Sequence, residues 1–231
     1  MLSTHVIITA AGKGSRFGSE LPKQFQPLGP SGYPVLMYSI NAFLDFGIPF
    51  GNIIVTLSGD DVAIWEELCS KYGYVTPRVI IGGSTRFESV NNALMNIEIK
   101  AGKKILIHDG ARPLVSRDVI SRVWEELNHC TGVVPTVPVT DSLRRVEATT
   151  GNTVAVDRAL YCAVQTPQGF EAETIYNAYR QGYKPTFTDD ASVVEHYGTV
   201  IRQVEGDRRN IKITVADDLI IANAFLESQR N

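Results

Sequence analysis

The tightest constraint in this sequence is a repeating order in which short β-rich runs alternate with stretches of helical apolar spacing. HVIITA from residue 5 and KKILIHDG from residue 103 read as buried strands, and NIIVTL from residue 52 and RVIIGG from residue 78 as strands between them. Between the first two, residues 34–46 have helical spacing, and Gly47 follows as a C-cap. Asp60 or Asp61 is placed to cap the next helix, where Val62, Trp65, Leu68, Cys69 and Tyr72 share a face. Ser84 opens a helix with Phe87, Val90, Leu94 and Ile97 in one stripe, and Ser116 caps another with Val119, Ile120, Val123, Trp124 and Leu127 inward. Strand–helix alternation calls for crossovers, hence a mostly parallel sheet with helices on both faces, an α/β chain of three layers. Ligands of such sheets bind beyond the carboxyl ends of the strands. That rule puts the loops 11–24, 82–86 and 109–113 on one rim.

The pattern loosens after residue 131. GVVPTVPV holds two prolines, and DSLRRVEATTGNTVAVDR alternates charge with β-formers around a Thr-Gly-Asn turn, which predicts a hairpin projecting from the sheet. Short helices are expected at 172–181 and 190–197, strands at 199–204 and 211–214, and a closing helix at 217–226. The hairpin is too short for a domain, so residues 1–231 are taken as one. Twenty-two Lys and Arg against 25 Asp and Glu leave a net charge of −3, which argues against nucleic acid as a partner. No run reaches the ~20 apolar residues of a membrane span, and the N-terminus enters a strand without a signal-type segment. The three cysteines, Cys69, Cys130 and Cys162, have no metal-type spacing and lie in apolar surroundings, so reduced core thiols and a cytoplasmic protein are expected.

The chemistry gathers on the rim. The first strand runs into Ala10-Ala11-Gly12-Lys13-Gly14-Ser15-Arg16-Phe17-Gly18, followed by Pro22-Lys23-Gln24. Glycines let backbone N–H groups turn toward an anion, and Lys13, Arg16 and Lys23 add positive charge, so this loop suggests phosphate. A dinucleotide fingerprint on Gly12, Gly14 and Gly18, as in an NADP-dependent reductase, needs a helix that Pro22 would interrupt, and it lacks the acidic residue ending the second strand. A Walker A motif lacks its closing Gly-Lys-Ser/Thr. In the segment from Gly82 to Val90, Ser84 or Ser89 stands near a helix N-terminus where a base or ribose could be bound. Asp109, at the end of the clearest strand, is a natural Mg²⁺ or ribose ligand. Its neighbour His108 reads as structural from strand alternation. Lys212, flanked by apolar residues, either faces solvent on an edge strand or enters an anion site.

Taken in order, Ala-Ala-Gly-x-Gly-x-Arg, Pro-Lys-Gln, Gly-Gly-x-x-Arg-x-x-Ser-Val, His-Asp-x-Ala-Arg-Pro, Asp-Arg, Thr-Pro-Gln and Asn-Ile-Lys-Ile-Thr resemble the 2-C-methyl-D-erythritol 4-phosphate cytidylyltransferases of the non-mevalonate isoprenoid pathway, from Ala10 to Leu219. The resemblance implies a nucleotidyltransferase variant of the Rossmann-like fold, dimerising through a protruding β-arm at about 139–156, with CTP, a sugar-alcohol phosphate and Mg²⁺ as its small-molecule partners. It implies that Arg16 and Lys23 stabilise the transition state and that Arg158 and Lys212 position the methylerythritol phosphate. Ala10, Ala11, Gly83, Ser84 and Ser89 resemble the cytosine pocket, with Gly12, Gly14, Asp109 and Ala111 among the other nucleotide contacts and Asp109 on the metal. Ser142, Thr166 and Thr188 resemble residues around the second substrate, and Ser142 departs from the family's usual Asp-Thr in the arm. A related family, the ribitol 5-phosphate cytidylyltransferases, shares the glycine loop and Thr-Pro-Gln; HDGARP and TDDASVVE resemble the methylerythritol enzymes more.

Overall fold

The computed structural model describes residues 1–12, 17–18 and 21–228. Strand β1 (Thr4–Thr9) leads through a loop to the small ribbon of β2 (Pro27–Leu28) and β3 (Tyr33–Pro34), and α1 (Val35–Phe46) starts directly from it. Gly47 ends α1 at φ 102°, a left-handed cap in which Cβ would be strained. β4 (Ile53–Leu57), α2 (Val62–Tyr72), β5 (Arg78–Ile81), α3 (Arg86–Leu94), β6 (Lys104–Asp109) and α4 (Arg117–Glu126) then alternate as expected. Beyond them come β7 (Gly132–Pro138), the pair β8 (Arg144–Val146) and β9 (Thr153–Ala155), β10 (Cys162–Val164), β11 (Gln168–Glu171), α5 (Ala172–Tyr179), α6 (Asp190–His196), β12 (Arg202–Glu205) and α7 (Ala216–Ser228).

The main sheet runs β10-β7-β11-β6-β1-β4-β5, with β12 on β7. β5, β4, β1 and β6 are parallel, whereas β11 lies antiparallel between β6 and β7. Side chains of β1 alternate between faces as a pleated strand requires. Val6 and Ile8 meet Leu36, Phe43, Trp65 and Val119 from α1, α2 and α4, while Ile7 meets Val90, Ile175 and Val193 from α3, α5 and α6. α7 covers the small ribbon through Leu28, Val35, Ile213 and Ala222.

Several expectations need correction. Where the pattern was read as loosening, Gly132–Pro138 forms a strand of the main sheet, and the Pro135 carbonyl accepts from Gln165 N at 2.8 Å. Neither Asp60 nor Asp61 caps α2 by its side chain; Asp61 instead accepts from Gln24 Nε2. The cap of α3 is Thr85, one residue after Ser84. Residues 211–214 are not a strand, because their N–H and C=O groups bond to loops rather than to a neighbouring strand. Cys69 is buried, but Cys130 is half-buried and Cys162 exposed; all three are free thiols. The region read as a hairpin does form one: β8 and β9 pair antiparallel, with every residue of both strands exposed.

Candidate functional site

Parallel register brings three strand ends together, with Thr9 beside Thr56 on one side and Asp109 on the other. The chain leaves each strand while still hydrogen-bonded to the next: Ala10 N to Thr56 O, Gly82 N to Leu57 O and Gly110 N to Thr9 O. Between these departures lies a cavity of about 280 Å³, lined by Ala10, Ala11, Gly12, Lys23, Gly83 and Ser84, with Ser89, Asp109, Ala111 and Lys212 completing the set anticipated from sequence. The three loops expected on one rim all contribute. Gly14 and Arg16 lie outside the described residues.

Close approach explains the paired glycines. A Cβ on Gly82 would stand 2.5 Å from the Ala11 Cβ, and one on Gly83 2.2 Å from the Glu88 Cβ. The rim is stiffened by a capping box: Thr85 Oγ1 accepts from Glu88 N at 3.1 Å, and Glu88 Oε2 accepts from Thr85 N at 3.2 Å. Glu88 also takes the Ser84 hydroxyl and backbone N–H, bonds that hold its pKa below the usual value. Ser89 Oγ accepts from Gly83 N and donates to Thr85 O. Both serines therefore shape the loop in addition to lining the cavity. Opposite them, Gln24 is buried and donates to Ala10 O at 2.9 Å, fixing the short turn that carries Lys23.

Asp109 is the electrostatic centre. Lys212 Nζ stands 2.8 Å from its carboxylate, Arg112 Nε 3.4 Å and Arg86 Nε 3.5 Å. Burial alone would raise its pKa, but the charges of Arg86, Lys212 and Arg112 outweigh burial and hold the carboxyl well below the usual carboxylate range. Lys212 arrives on an extended segment pinned from both ends: Arg112 Nη1 donates to Asn210 O at 2.7 Å, and Ile213 N donates to Ala111 O at 2.8 Å. Its place on an irregular segment, not an edge strand, is what turns it inward.

Thr166 is buried under the floor, where its hydroxyl meets His108 Nδ1 at 3.0 Å and Asp109 N at 3.1 Å. His108 is fully buried, with Nε2 3.1 Å from Arg112 O, and burial pushes its pKa down to about 4. It is a neutral structural side chain, as strand alternation suggested. Among the described residues, Thr166 and three other sequence-predicted residues do not line the cavity. Thr188 is exposed on the turn before α6. Ser142 and Arg158 are exposed near the hairpin, where Arg158 donates to Thr140 O.

Sequence reading passed over Arg86, Arg112, Gln24 and Asp190. Arg86 and Arg112 stood inside quoted motifs, yet their roles come from partners distant in sequence. The Thr-x-x-Glu spacing of Thr85 and Glu88 was a legible cap signal. Among the described residues no trio of His, Cys, Asp or Glu forms a metal cage, and none of the helices is long and apolar enough to cross a membrane.

A family profile described as 2-C-methyl-D-erythritol 4-phosphate cytidylyltransferase matches residues 4–228. A relative of that name from Bacteroides thetaiotaomicron is 43% identical over 222 residues, covering 96% of this chain and 98% of the relative. One from Bacteroides fragilis is 44% identical, covering 95% and 98%. Among solved structures, a 4-diphosphocytidyl-2C-methyl-D-erythritol synthase from Anaerococcus prevotii superposes with a TM-score of 0.80 at 27% identity, covering 97% of this chain and 96% of that one. A 2-C-methyl-D-erythritol 4-phosphate cytidylyltransferase from Francisella tularensis gives 0.78 at 32%, covering 96% and 98%.

Proposed function

The chain belongs to the 2-C-methyl-D-erythritol 4-phosphate cytidylyltransferase family, and from that premise we propose how its residues divide the work. The protein transfers CMP from CTP to 2-C-methyl-D-erythritol 4-phosphate, releasing pyrophosphate, a step of isoprenoid precursor synthesis. The relatives' names specify methylerythritol phosphate as acceptor, not ribitol phosphate.

The acceptor phosphate attacks the α-phosphorus of CTP. With a second pKa near ~6 it is largely a dianion at neutral pH, so no side chain has to remove its proton. A neutral, doubly hydrogen-bonded His108 suits that economy, since the site holds it out of proton transfer. What the reaction does need is alignment of two polyanions and relief of their repulsion. Lys23 and Lys212 both line the cavity, with Arg16 assigned to the same triphosphate by family resemblance. The narrow pocket of Ala10, Ala11, Gly83, Ser84 and Ser89 is read as the cytosine site, and Gly12, Gly14, Asp109 and Ala111 as its ribose and phosphate side. Asp109 is one hard oxygen ligand at the end of a strand, which fits a Mg²⁺ held mainly by water and substrate phosphates rather than by a protein cage. When bound there, Mg²⁺ would supply charge neutralisation on the triphosphate. Its carboxylate stays ionised because three cations surround it.

Thr166 and Thr188 are read as acceptor contacts, together with Ser142 and Arg158. The observation behind the quaternary part of the proposal is that Arg158 and Ser142 lie outside the cavity of their own chain. Val146, Val154, Leu160 and Tyr161 are exposed beside them, at 65%, 45%, 80% and 51%, an apolar surface that a second copy of the chain would cover. In a homodimer of this kind each hairpin region would serve the partner's site. We take the enzyme to act in the cytoplasm, consistent with three free thiols.

Mixing two disabled variants tests the arrangement. Lys23→Ala and Arg158→Ala are each purified, then mixed after unfolding and refolding to exchange subunits. Assayed at methylerythritol phosphate well below the KM of Arg158→Ala, where both variants are nearly inactive, the mixture recovers about a quarter of the wild-type rate if Arg158 acts across the interface, because half the dimers are mixed and each holds one intact site. No recovery, with dimers present by sedimentation, would return Arg158 to its own chain. Pyrophosphate release that requires ribitol phosphate and ignores methylerythritol phosphate would overturn the substrate assignment.

A further inference from the structure

Arg86, the first residue of α3, spans the cavity's edge and touches two carboxylates. Its Nε lies 3.5 Å from Asp109 Oδ1 and its Nη1 2.6 Å from Asp190 Oδ1. Asp190 begins α6, is fully buried and does not line the cavity. Tyr179 donates its hydroxyl to the same Oδ1 at 2.6 Å, whereas Oδ2 is buried with no hydrogen-bond partner among the described residues. Thus most of what holds this buried charge is Arg86.

The turn in front of Asp190 is built around that anchor. Asp189 and Ser192 form a capping box, and Gln168 from β11 donates to Asp189 Oδ2 and accepts from Ala191 N. Thr188 sits on this turn, its N–H bonded to Ser192 Oγ. We propose that Arg86 is a positioning residue for the acceptor phosphate: by holding Asp190, it sets where the Thr188 turn stands relative to Asp109 and the nucleotide. This rests on the reading of Thr188 as an acceptor contact. A guanidinium suits the task because its Nε and Nη donors leave in different, fixed directions and can serve two carboxylates at once. A lysine ammonium at the same position is a single point on a flexible stem. It keeps the charge but loses the fixed span between the two carboxylates.

The test is steady-state kinetics on the full chain with both substrates varied, alongside thermal melts. Asp190→Asn, which changes no cavity-lining atom, raises KM for methylerythritol phosphate about tenfold, with KM for CTP within about threefold, as loss of one charged contact predicts. Arg86→Lys does the same, and the double variant is no worse than the poorer single within about twofold, since both remove one interaction. A folded Asp190→Asn with unchanged acceptor KM overturns the proposal, as does an effect falling mainly on CTP. If both variants fail to fold, Tyr179→Phe decides, because it keeps the ion pair and removes one hydrogen bond to Asp190. An acceptor KM raised about two- to fivefold supports the proposal, and no change overturns it. Thr188→Ala separates the two levels of inference. If it leaves the acceptor KM unchanged, the acceptor reading fails and takes the role of Arg86 with it. If it raises that KM while Asp190→Asn does not, only the role of Arg86 fails.

Discussion

The cavity proposed to hold the nucleotide and the hairpin region proposed to serve the acceptor, the two halves of the proposed site, are made in opposite ways. Around Asp109 the functional groups are woven into the core: strand ends in register, a capping box, a pinned loop and an ion-pair hub. Around Arg158 and Ser142 the chain is exposed, with both hairpin strands open to solvent. Described residues of one chain line the cavity, whereas Val146, Val154, Leu160 and Tyr161 near the hairpin are exposed. Burial and converging charge hold the side chains around Asp109, whereas the hairpin strands are exposed and held by their mutual pairing. Substitutions in the first half should therefore affect chemistry and folding together, and those in the second should affect only the acceptor.

The largest test of this contrast is Lys23→Ala. Removing a preorganised cation from the phosphate site is expected to lower kcat by ~10²–10³ with a smaller change in KM; near-normal turnover in a pyrophosphate-release assay would remove Lys23 from the catalytic role. Next comes acid stability. His108 has a folded pKa of about 4 against 6.5 when free, so the unfolded chain takes up its proton first as pH falls. Its contribution is complete above about 6.5 and drains away toward pH 4, reaching about 3 kcal/mol. Asp109, held far lower, does not titrate in that window. Melting temperature against pH should fall there in the wild type and fall less in His108→Gln at the same relative stability. A parallel slope in both would detach His108 from the effect.

Arg158→Ala is the matching test on the hairpin. Loss of one charged contact should raise KM for methylerythritol phosphate about tenfold to a hundredfold, with CTP binding and melting temperature unchanged. A drop in melting temperature would show that the hairpin is as embedded as the nucleotide half. The smallest effect is Thr85→Ala, which removes the side-chain cap of α3 at a cost of about 1 kcal/mol in denaturant unfolding, with a modest rise in KM for CTP. No loss of stability would mean that Glu88 and Ser84 hold the rim without Thr85.

Much of the nucleotide half was legible because its signals are local. Gly83, the strand running to Asp109, and the loop from Ala10 all announce themselves through spacing, and all reach the cavity. The misreadings arose where a partner was distant. Residues 211–214 have strand-like composition, yet Ile213 N bonds to the Ala111 carbonyl of a loop, and Arg112 holds the preceding carbonyl of Asn210. The strand Gln168–Glu171 was missed because its four residues, one a glycine, become a strand only between β6 and β7. Cys162 was expected in the core from its apolar neighbours, but it lies on an exposed strand.

By itself the sequence determined the alternation of strands and helices and the rim on which ligand loops gather, since periodicity, capping and glycine placement act over a few residues; the cytidylyltransferase reading came from the resemblance of its motifs to a family. Only the tertiary structure decided what Asp109 faces. Arg86, Arg112 and Lys212 come to it from three separate segments, and a carboxylate acquires its charge state and its task from neighbours that chain order does not reveal.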